Sequence, residues 1–385
     1  MRLLYVVGAR PNFVKMAPVV AALRRRLSSA QHVLVHTGQH YDTEMSELFL
    51  DELAMPEPDH RLGVGSGTHA EQTARVMEAL EPVVLAEPPD LAFVPGDVNS
   101  TLGASLVFAK LGVPYAHVES GLRSFDRTMP EEINRIVADE FGSLLFAHSD
   151  EAIANLASEG IDASRVHLVG NTMIDSLVVF EPRFRSLAAA AALGLEPGHY
   201  LLVTLHRPSL VDGADLEVVL GHLDTIAAGL PVVFPVHPRT QPRIDEKRYP
   251  RIRFMRPLGY LEFLSLESDA RAVLTDSGGI QEETTYLGIP CFTLRSTTER
   301  PVTIRLGTNT LLGLEPERVA SIPGLLENHQ ARTTQRPPLW DGLAAERISD
   351  VVTGYMHEKR PLTLRPPSQA VGVIRDRRAK PGECR

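Results

Sequence analysis

Three carboxylates stand out for where they fall. Asp97 follows the apolar run 91–94 through a Pro-Gly turn, Glu119 ends the run 115–118, and Glu131 opens a helical pattern behind Pro130. An acid at the end of an apolar run is costly to bury without a partner or a task. Acids crowded round one pocket push each other's pKa values apart, which separates a general acid from a general base. Plain alternatives stand beside this reading: Asp97 can cap the helix after it, and Glu131 can pair with Arg135 four residues on along one helix face.

A second set of residues suits a phosphate. Gly8-Ala9-Arg10-Pro11 turns the chain into a helix start, with Arg10 and Lys15 beside the helix terminus, where anions bind. Thr275-Asp276-Ser277-Gly278-Gly279 follows another apolar run. There Ser277 can cap the helix, and Gly278 and Gly279 let backbone N–H groups approach a phosphate. Glu283 lies one turn further on, within reach of ribose hydroxyls, and Arg300 supplies another cation after the next run. The segment is neither GxGxxG nor a Walker loop, so neither NAD nor ATP is expected. His206-Arg207-Pro208 and His237-Pro238-Arg239 place a histidine and an arginine at two further run ends; a lone histidine there is as easily structural. The loop 36–42, with Gln39 and His40, is polar and reads equally well as an ordinary turn.

These residues need elements to position them. Short continuous apolar runs at 3–7, 32–36, 91–94, 115–118 and 144–147 read as strands, with helical patterns at 15–26, 70–85, 102–111, 131–141 and 150–158. The alternation restarts with strands at 201–204, 232–236, 252–255, 272–275 and 291–294, and helices at 214–228, 258–267, 279–287 and 344–356. Continuous apolar runs alternating with helices predict α/β architecture with parallel sheets covered on both faces. The two sets imply two doubly wound, Rossmann-like domains facing a cleft, with the boundary near 170–198, an Ala-rich helical stretch at 187–195, and ligands at the carboxyl ends of the strands.

The chain has 385 residues and a formal net charge of −9, which suggests no basic face for nucleic acid. Cys291 sits in an apolar run and Cys384 is next to last, so neither a disulfide framework nor a Cys/His metal site is expected. No apolar run approaches the ~18–20 residues of a membrane span, and Leu3–Val7 is too short for a signal peptide. A cytoplasmic enzyme is the expectation.

Taken in order, GARPNFVKMAP (8–18), TGQH (37–40), PGDVNST (95–101), HVESGLRS (117–124), PEEINR (130–135), GNTMID (170–175), LHRP (205–208), PVHPR (235–239), TDSGGIQEE (275–283) and TTERP (297–301) resemble the non-hydrolysing UDP-N-acetylglucosamine 2-epimerases. The resemblance runs from residue 1 to about 355. It implies a glycosyltransferase-B type fold: a first domain over 1–172 with the carboxylates, a UDP-binding domain over 173–343 and a last helix over 344–358 returning to the first domain. The tail over 359–385, rich in Pro and charge and without periodicity, is expected to be mobile. The resemblance also implies reversible epimerisation of UDP-GlcNAc to UDP-ManNAc by elimination and re-addition of UDP through 2-acetamidoglucal, without metal or cofactor, in a homodimer. Asp97, Glu119, Glu131 and His206 match the family's catalytic positions. Arg10, Lys15, Arg135 and Arg300 match sugar and pyrophosphate contacts, Ser277, Gly278 and Gly279 the phosphate turn, Glu283 the ribose contact and Phe263 the residue beside uracil. Gln39, His40, Arg207 and His237 resemble a site where a second UDP-GlcNAc activates some bacterial members. GARPN in place of GTRPE, and Gly96-Asp97-Val98 in place of GDT, are similar to a subgroup that includes epimerases of other UDP sugars, such as 2,3-diacetamido-glucuronate. The alternatives are therefore that chemistry on a modified sugar, or a glycosyltransferase of the same fold.

Overall fold

The computed structural model describes residues 1–38, 50–327 and 336–358; Gln39, His40 and the tail from 359 onward lie outside the described residues. A seven-stranded sheet comprises β1 (Arg2–Val7), β2 (Gln31–His36), β3 (His60–Arg61), β4 (Leu91–Pro95), β5 (Tyr115–Ser120), β6 (Leu144–Ala147) and β7 (Val166–Leu168), in the order β3-β2-β1-β4-β5-β6-β7. A six-stranded sheet comprises β8 (Leu201–Thr204), β9 (Val232–Pro235), β10 (Ile252–Met255), β11 (Ala272–Thr275), β12 (Cys291–Thr293) and β13 (Asn309–Leu311), in the order β10-β9-β8-β11-β12-β13. Pairing is parallel in both sheets, for example Tyr5 opposite Phe93 and Thr204 opposite Thr275. The strands that sequence reading passes over, β3, β7 and β13, are edge strands of two or three residues, too short to carry a pattern.

The connecting helices are α1 (Arg10–Arg26), α2 (His69–Ala86), α3 (Asn99–Leu111), α4 (Pro130–Phe141), α5 (Asp150–Ser158), α6 (Thr172–Ser186), α7 (Ala189–Ala192), α8 (Pro208–Val211), α9 (Asp215–Ile226), α10 (Tyr260–Asp269), α11 (Gly278–Leu287), α12 (Pro301–Arg305), α13 (Ile322–Glu327) and α14 (Ala344–Glu358). Helix α1 starts five residues before the periodicity suggests. Pro11 suits a first helical turn, and the Asn12 side chain accepts hydrogen bonds from the amides of Gly8 and Ala9, both at 3.1 Å.

The larger departure is α6, which occupies the expected boundary. The Asn171 side chain accepts from the Met173 amide to start it, and Ile174, Leu177 and Phe184 bury one face. Of the Ala-rich stretch only Ala189–Ala192 is helical, because Ala188 adopts a left-handed backbone (φ 46°) that breaks the run.

Helix α6 packs against α1 and α14 on one side and α10 and α11 on the other. One apolar cluster therefore runs from β1 (Leu3, Tyr5, Val7) through Leu177 to Leu264 and on to Trp340 and Ile348. It fixes the two sheets relative to each other. In both sheets the strand order reverses, between β1 and β4 in the first and between β8 and β11 in the second. A crevice opens at the carboxyl ends at such a point. The four segments leaving those strands are Gly8–Arg10, Gly96–Asp97, His206–Arg207 and Asp276–Ser277. The architecture is α/β of glycosyltransferase-B type, two Rossmann-like sheets facing one cleft.

Candidate active site

Strand β5 delivers Glu119 in an unusual way. Its register with β6 slips between Val118 and Ser120, and Glu119 has φ 73°, a left-handed backbone that costs a non-glycine residue energy and is worth explaining. The bulge aims the carboxylate at two cations. Lys15 Nζ, from α1, binds Oε2, and Arg300 Nη2, from the second sheet's side, donates to Oε1 at 2.8 Å. All three side chains are about 6% exposed. Burial alone pushes the Glu119 carboxyl up, but Lys15 and then Arg300 outweigh it and hold it at about 2.

Asp97 sits one residue beyond Gly96, whose φ of 60° suits glycine and whose added Cβ would meet Lys15 Nζ at 2.9 Å. Asp97 does not cap α3. Its Oδ2 accepts from Arg135 Nη2 at 2.5 Å, and its carbonyl accepts from Asn134 Nδ2 at 2.8 Å. The guanidinium of Arg135 also turns to Glu132 (2.9 Å) and faces Glu299 at 3.7 Å, rather than pairing with Glu131 on its own helix face. Glu132 is the organiser of this corner. It accepts from the Ser124 amide (2.8 Å) and hydroxyl (3.0 Å) and from the Phe125 amide (2.8 Å), fixing the loop before α4. Glu131 stays half-buried, close enough to Arg207 across the cleft for their charges to interact.

On the opposite wall, Asp276 is fully buried and holds the end of β8. Its Oδ2 accepts from the amides of His206 (2.8 Å) and Arg207 (2.7 Å), and its Oδ1 lies 2.9 Å from His206 Nδ1. The contact engages Nδ1 of the imidazole and not Nε2. The ring of His237 lies beside it, centroids 5.4 Å apart. Burial, then the charges of His206 and Arg10, pushes His237 down to about 4.

Ser277 stands at the N-cap of α11, but its side chain does not cap the helix. Its amide instead donates to Thr275 Oγ1 at 2.9 Å, which keeps the turn tight. Gly278 is needed for a different close approach: a Cβ there would lie 2.6 Å from Arg300 Nη1. Arg300 is the hub, with Glu282 at 2.9 Å from Nε and Glu299 at 3.4 Å from Nη1. Arg295 grips Glu299 through both guanidinium nitrogens (2.7 and 2.5 Å). Glu283 is buried and accepts from the Tyr260 hydroxyl at 3.0 Å. Phe263 packs in the apolar layer beside Leu258 and Leu266.

The cleft therefore gathers Lys15, Asp97, Glu119, Arg135 and Arg300 in one network, with His206, Arg207 and His237 grouped on the facing wall. Sequence reasoning missed Glu132, Asp276, Glu282 and Glu299. Asp276 carries the same signal as Asp97, an acid directly after an apolar strand. The others lie beside residues already singled out, and adjacency alone does not say which of two acids turns inward.

A model of the UDP-N-acetylglucosamine 2-epimerase family matches residues 22–353. A UDP-N-acetylglucosamine 2-epimerase of Methanocaldococcus jannaschii is 39% identical over 367 residues, 92% of this chain and 99% of that protein. A UDP-2,3-diacetamido-2,3-dideoxy-D-glucuronate 2-epimerase of Pseudomonas aeruginosa is 40% identical over 319 residues, 81% of this chain and 88% of that one. The crystal structure of the M. jannaschii enzyme in complex with UDP-GlcNAc and UDP superposes with a TM-score of 0.84 at 38% identity, covering 92% of this chain and 100% of that chain.

Proposed function

The chain belongs to the UDP-N-acetylglucosamine 2-epimerase family, and from that premise we propose that it interconverts UDP-GlcNAc and UDP-ManNAc without net hydrolysis. One observation supports this above the rest: Glu119 is thrust out of β5 between Lys15 of one wall and Arg300 of the other. A carboxylate and the cations suited to a diphosphate thus share one point in the cleft.

The chemistry follows from what each group can do. The sugar's C2 proton is weakly acidic, so its removal needs a placed base and its return a placed acid. Asp97, Glu119 and Glu131 are the acid–base set, each with different neighbours in the cleft. Loss of the C2 proton and cleavage of the C1–O bond give 2-acetamidoglucal and UDP. The leaving diphosphate gathers charge as that bond breaks. The Ser277 hydroxyl and the amides of Gly278 and Gly279 at the start of α11, with Lys15, Arg10 and Arg300, meet that charge. His206, oriented by Asp276, donates or accepts at the sugar. Re-addition of UDP at C1, with a proton delivered to the other face of C2, completes the inversion. Glu283 holds the ribose and Phe263 lies beside the uracil. Arg207 and His237, contiguous with His206, would receive a second UDP-GlcNAc as activator, which would give sigmoidal rate curves.

Incubation with UDP-GlcNAc in D2O, with no acceptor sugar, tests the reading. UDP-ManNAc carrying deuterium at C2 is the expected product. The P. aeruginosa relative supports a second reading, the same inversion on a diacetamido uronate. Deuterium exchange with that sugar nucleotide alone would select it, and exchange with neither would remove the epimerase proposal.

A further inference from the structure

His148 follows β6, on the same sheet edge as Glu119. It is 2% exposed, yet neither ring nitrogen has a hydrogen-bond partner among the described residues. Its Nε2 lies 3.5 Å from Glu282 Oε1, too far for a good hydrogen bond. Trp340 holds the residue in place: its indole N–H donates to the His148 carbonyl at 3.1 Å, and the two rings meet edge-on with centroids 5.9 Å apart. An unpartnered imidazole fixed this firmly calls for a reason.

His148 lines two small cavities. The inner one is lined by Lys15, Glu119 and Asn171, whose Nδ2 is also unpartnered. The outer one is lined by Glu151, Asp150 and Arg305, of which the last two are exposed. Each has room for about one water molecule. The charged groups facing the imidazole are Glu119 on β5, Lys15 on α1, Glu282 on α11 and Arg300 just before α12.

We propose that His148 carries protons between Glu119 and bulk solvent, resetting the acid–base groups between turnovers.

The inference rests on the epimerase reading and deepens it. Inversion at C2 takes a proton on one face and delivers one on the other. One forward turnover therefore leaves the base protonated and the acid deprotonated. Before the next, a proton must leave the first and reach the second. Glu119 is enclosed by Lys15 and Arg300, so its direct route to water is narrow. A protonated Glu119 passes its proton through the inner cavity to one ring nitrogen, leaving a carboxylate. The other ring nitrogen passes a proton to water in the outer cavity, which leaves the imidazole neutral in its other tautomer, and exchange of the ring protons with water in the two cavities restores the first. Burial, against the pull of Glu119, holds the imidazole down at about 4, so it rests neutral and ready to accept.

The test compares the unaltered protein with His148→Ala and His148→Gln, using UDP-GlcNAc turnover, UDP binding and chemical rescue. The expected result is a fall in kcat of tenfold or more in both variants, with UDP affinity within twofold. Added imidazole should restore His148→Ala in proportion to its concentration. Pyrazole, a ring of the same size and far weaker basicity, should not. Unchanged kcat, equal rescue by pyrazole, or loss of UDP binding in both variants would overturn the relay, the last two by revealing a packing role. The unaltered protein reports separately on the reading beneath it: if it does not turn over UDP-GlcNAc, the epimerase proposal falls, whatever the variants do.

Discussion

Charge is balanced residue by residue in this cleft, and the balance differs sharply between neighbours. Glu282 and Glu283 are adjacent on α11 and both buried, yet Glu282 meets Arg300 while Glu283 accepts from the phenol of Tyr260. Burial, reinforced by Glu282 and opposed by the hydrogen bond from Tyr260, lifts the Glu283 carboxyl to about 8. In the unfolded chain a glutamate loses its proton near ~4.3. Between those values the folded protein holds the extra proton, so this group's contribution to stability falls as pH rises through that window and is constant above it. Glu283→Gln has no such proton. Thermal melts of variant and parent from pH 5 to pH 9 should show the variant gaining on the parent up to about pH 8, by at least ~1 kcal/mol, and then holding level. A difference independent of pH would mean that Glu283 is ionised throughout.

Among the elements, α14 depends on a residue far away in the chain. Asp175, on α6, accepts from the amides of Ala344 (3.1 Å) and Ala345 (2.6 Å) and so caps α14 from outside. Helix α14 then covers α1 with Ala345, Ile348 and Val352, and its exposed pairs Arg25–Glu346 and Arg26–Asp350 add little. Asp175→Ala leaves two amides at a buried helix start without an acceptor. It should cost ~1–2 kcal/mol and lower Tm by a few degrees, while kcat/KM at 25 °C stays within twofold of the parent. Scanning calorimetry and steady-state rates check both halves. A large loss of activity without a loss of Tm would show that α14 acts on the site rather than on the frame.

For the molecule as a whole, Glu119 is the joint between the two walls. Removing one member of a buried ion pair costs ~3–5 kcal/mol, because the partners' charge stays buried and unopposed. In Glu119→Gln, Lys15 loses its carboxylate and Arg300 keeps Glu282 and Glu299 alone. A bound diphosphate would return negative charge to both cations. The variant should therefore melt below the parent in buffer, and saturating UDP should raise its Tm by more than it raises the parent's. An equal or smaller gain with UDP would show that the two cations do not face the diphosphate.

Periodicity and run length, both local properties, already determined two parallel α/β sheets and most of their strands, because strands buried on both faces must be apolar throughout. Strand-end position likewise singled out Asp97, Glu119, His206 and the Ser277 turn, since α/β crevices lie there. Helix α6 was not legible, because its worth lies in touching both halves at once. Nor was the choice of Glu132 over Glu131 for Arg135, or of Asp276 as the partner of His206, or the placing of His148 between two cavities. A side chain's partner depends on which distant segment the fold brings within about 3 Å, and in this protein α6 and the joined core make that choice.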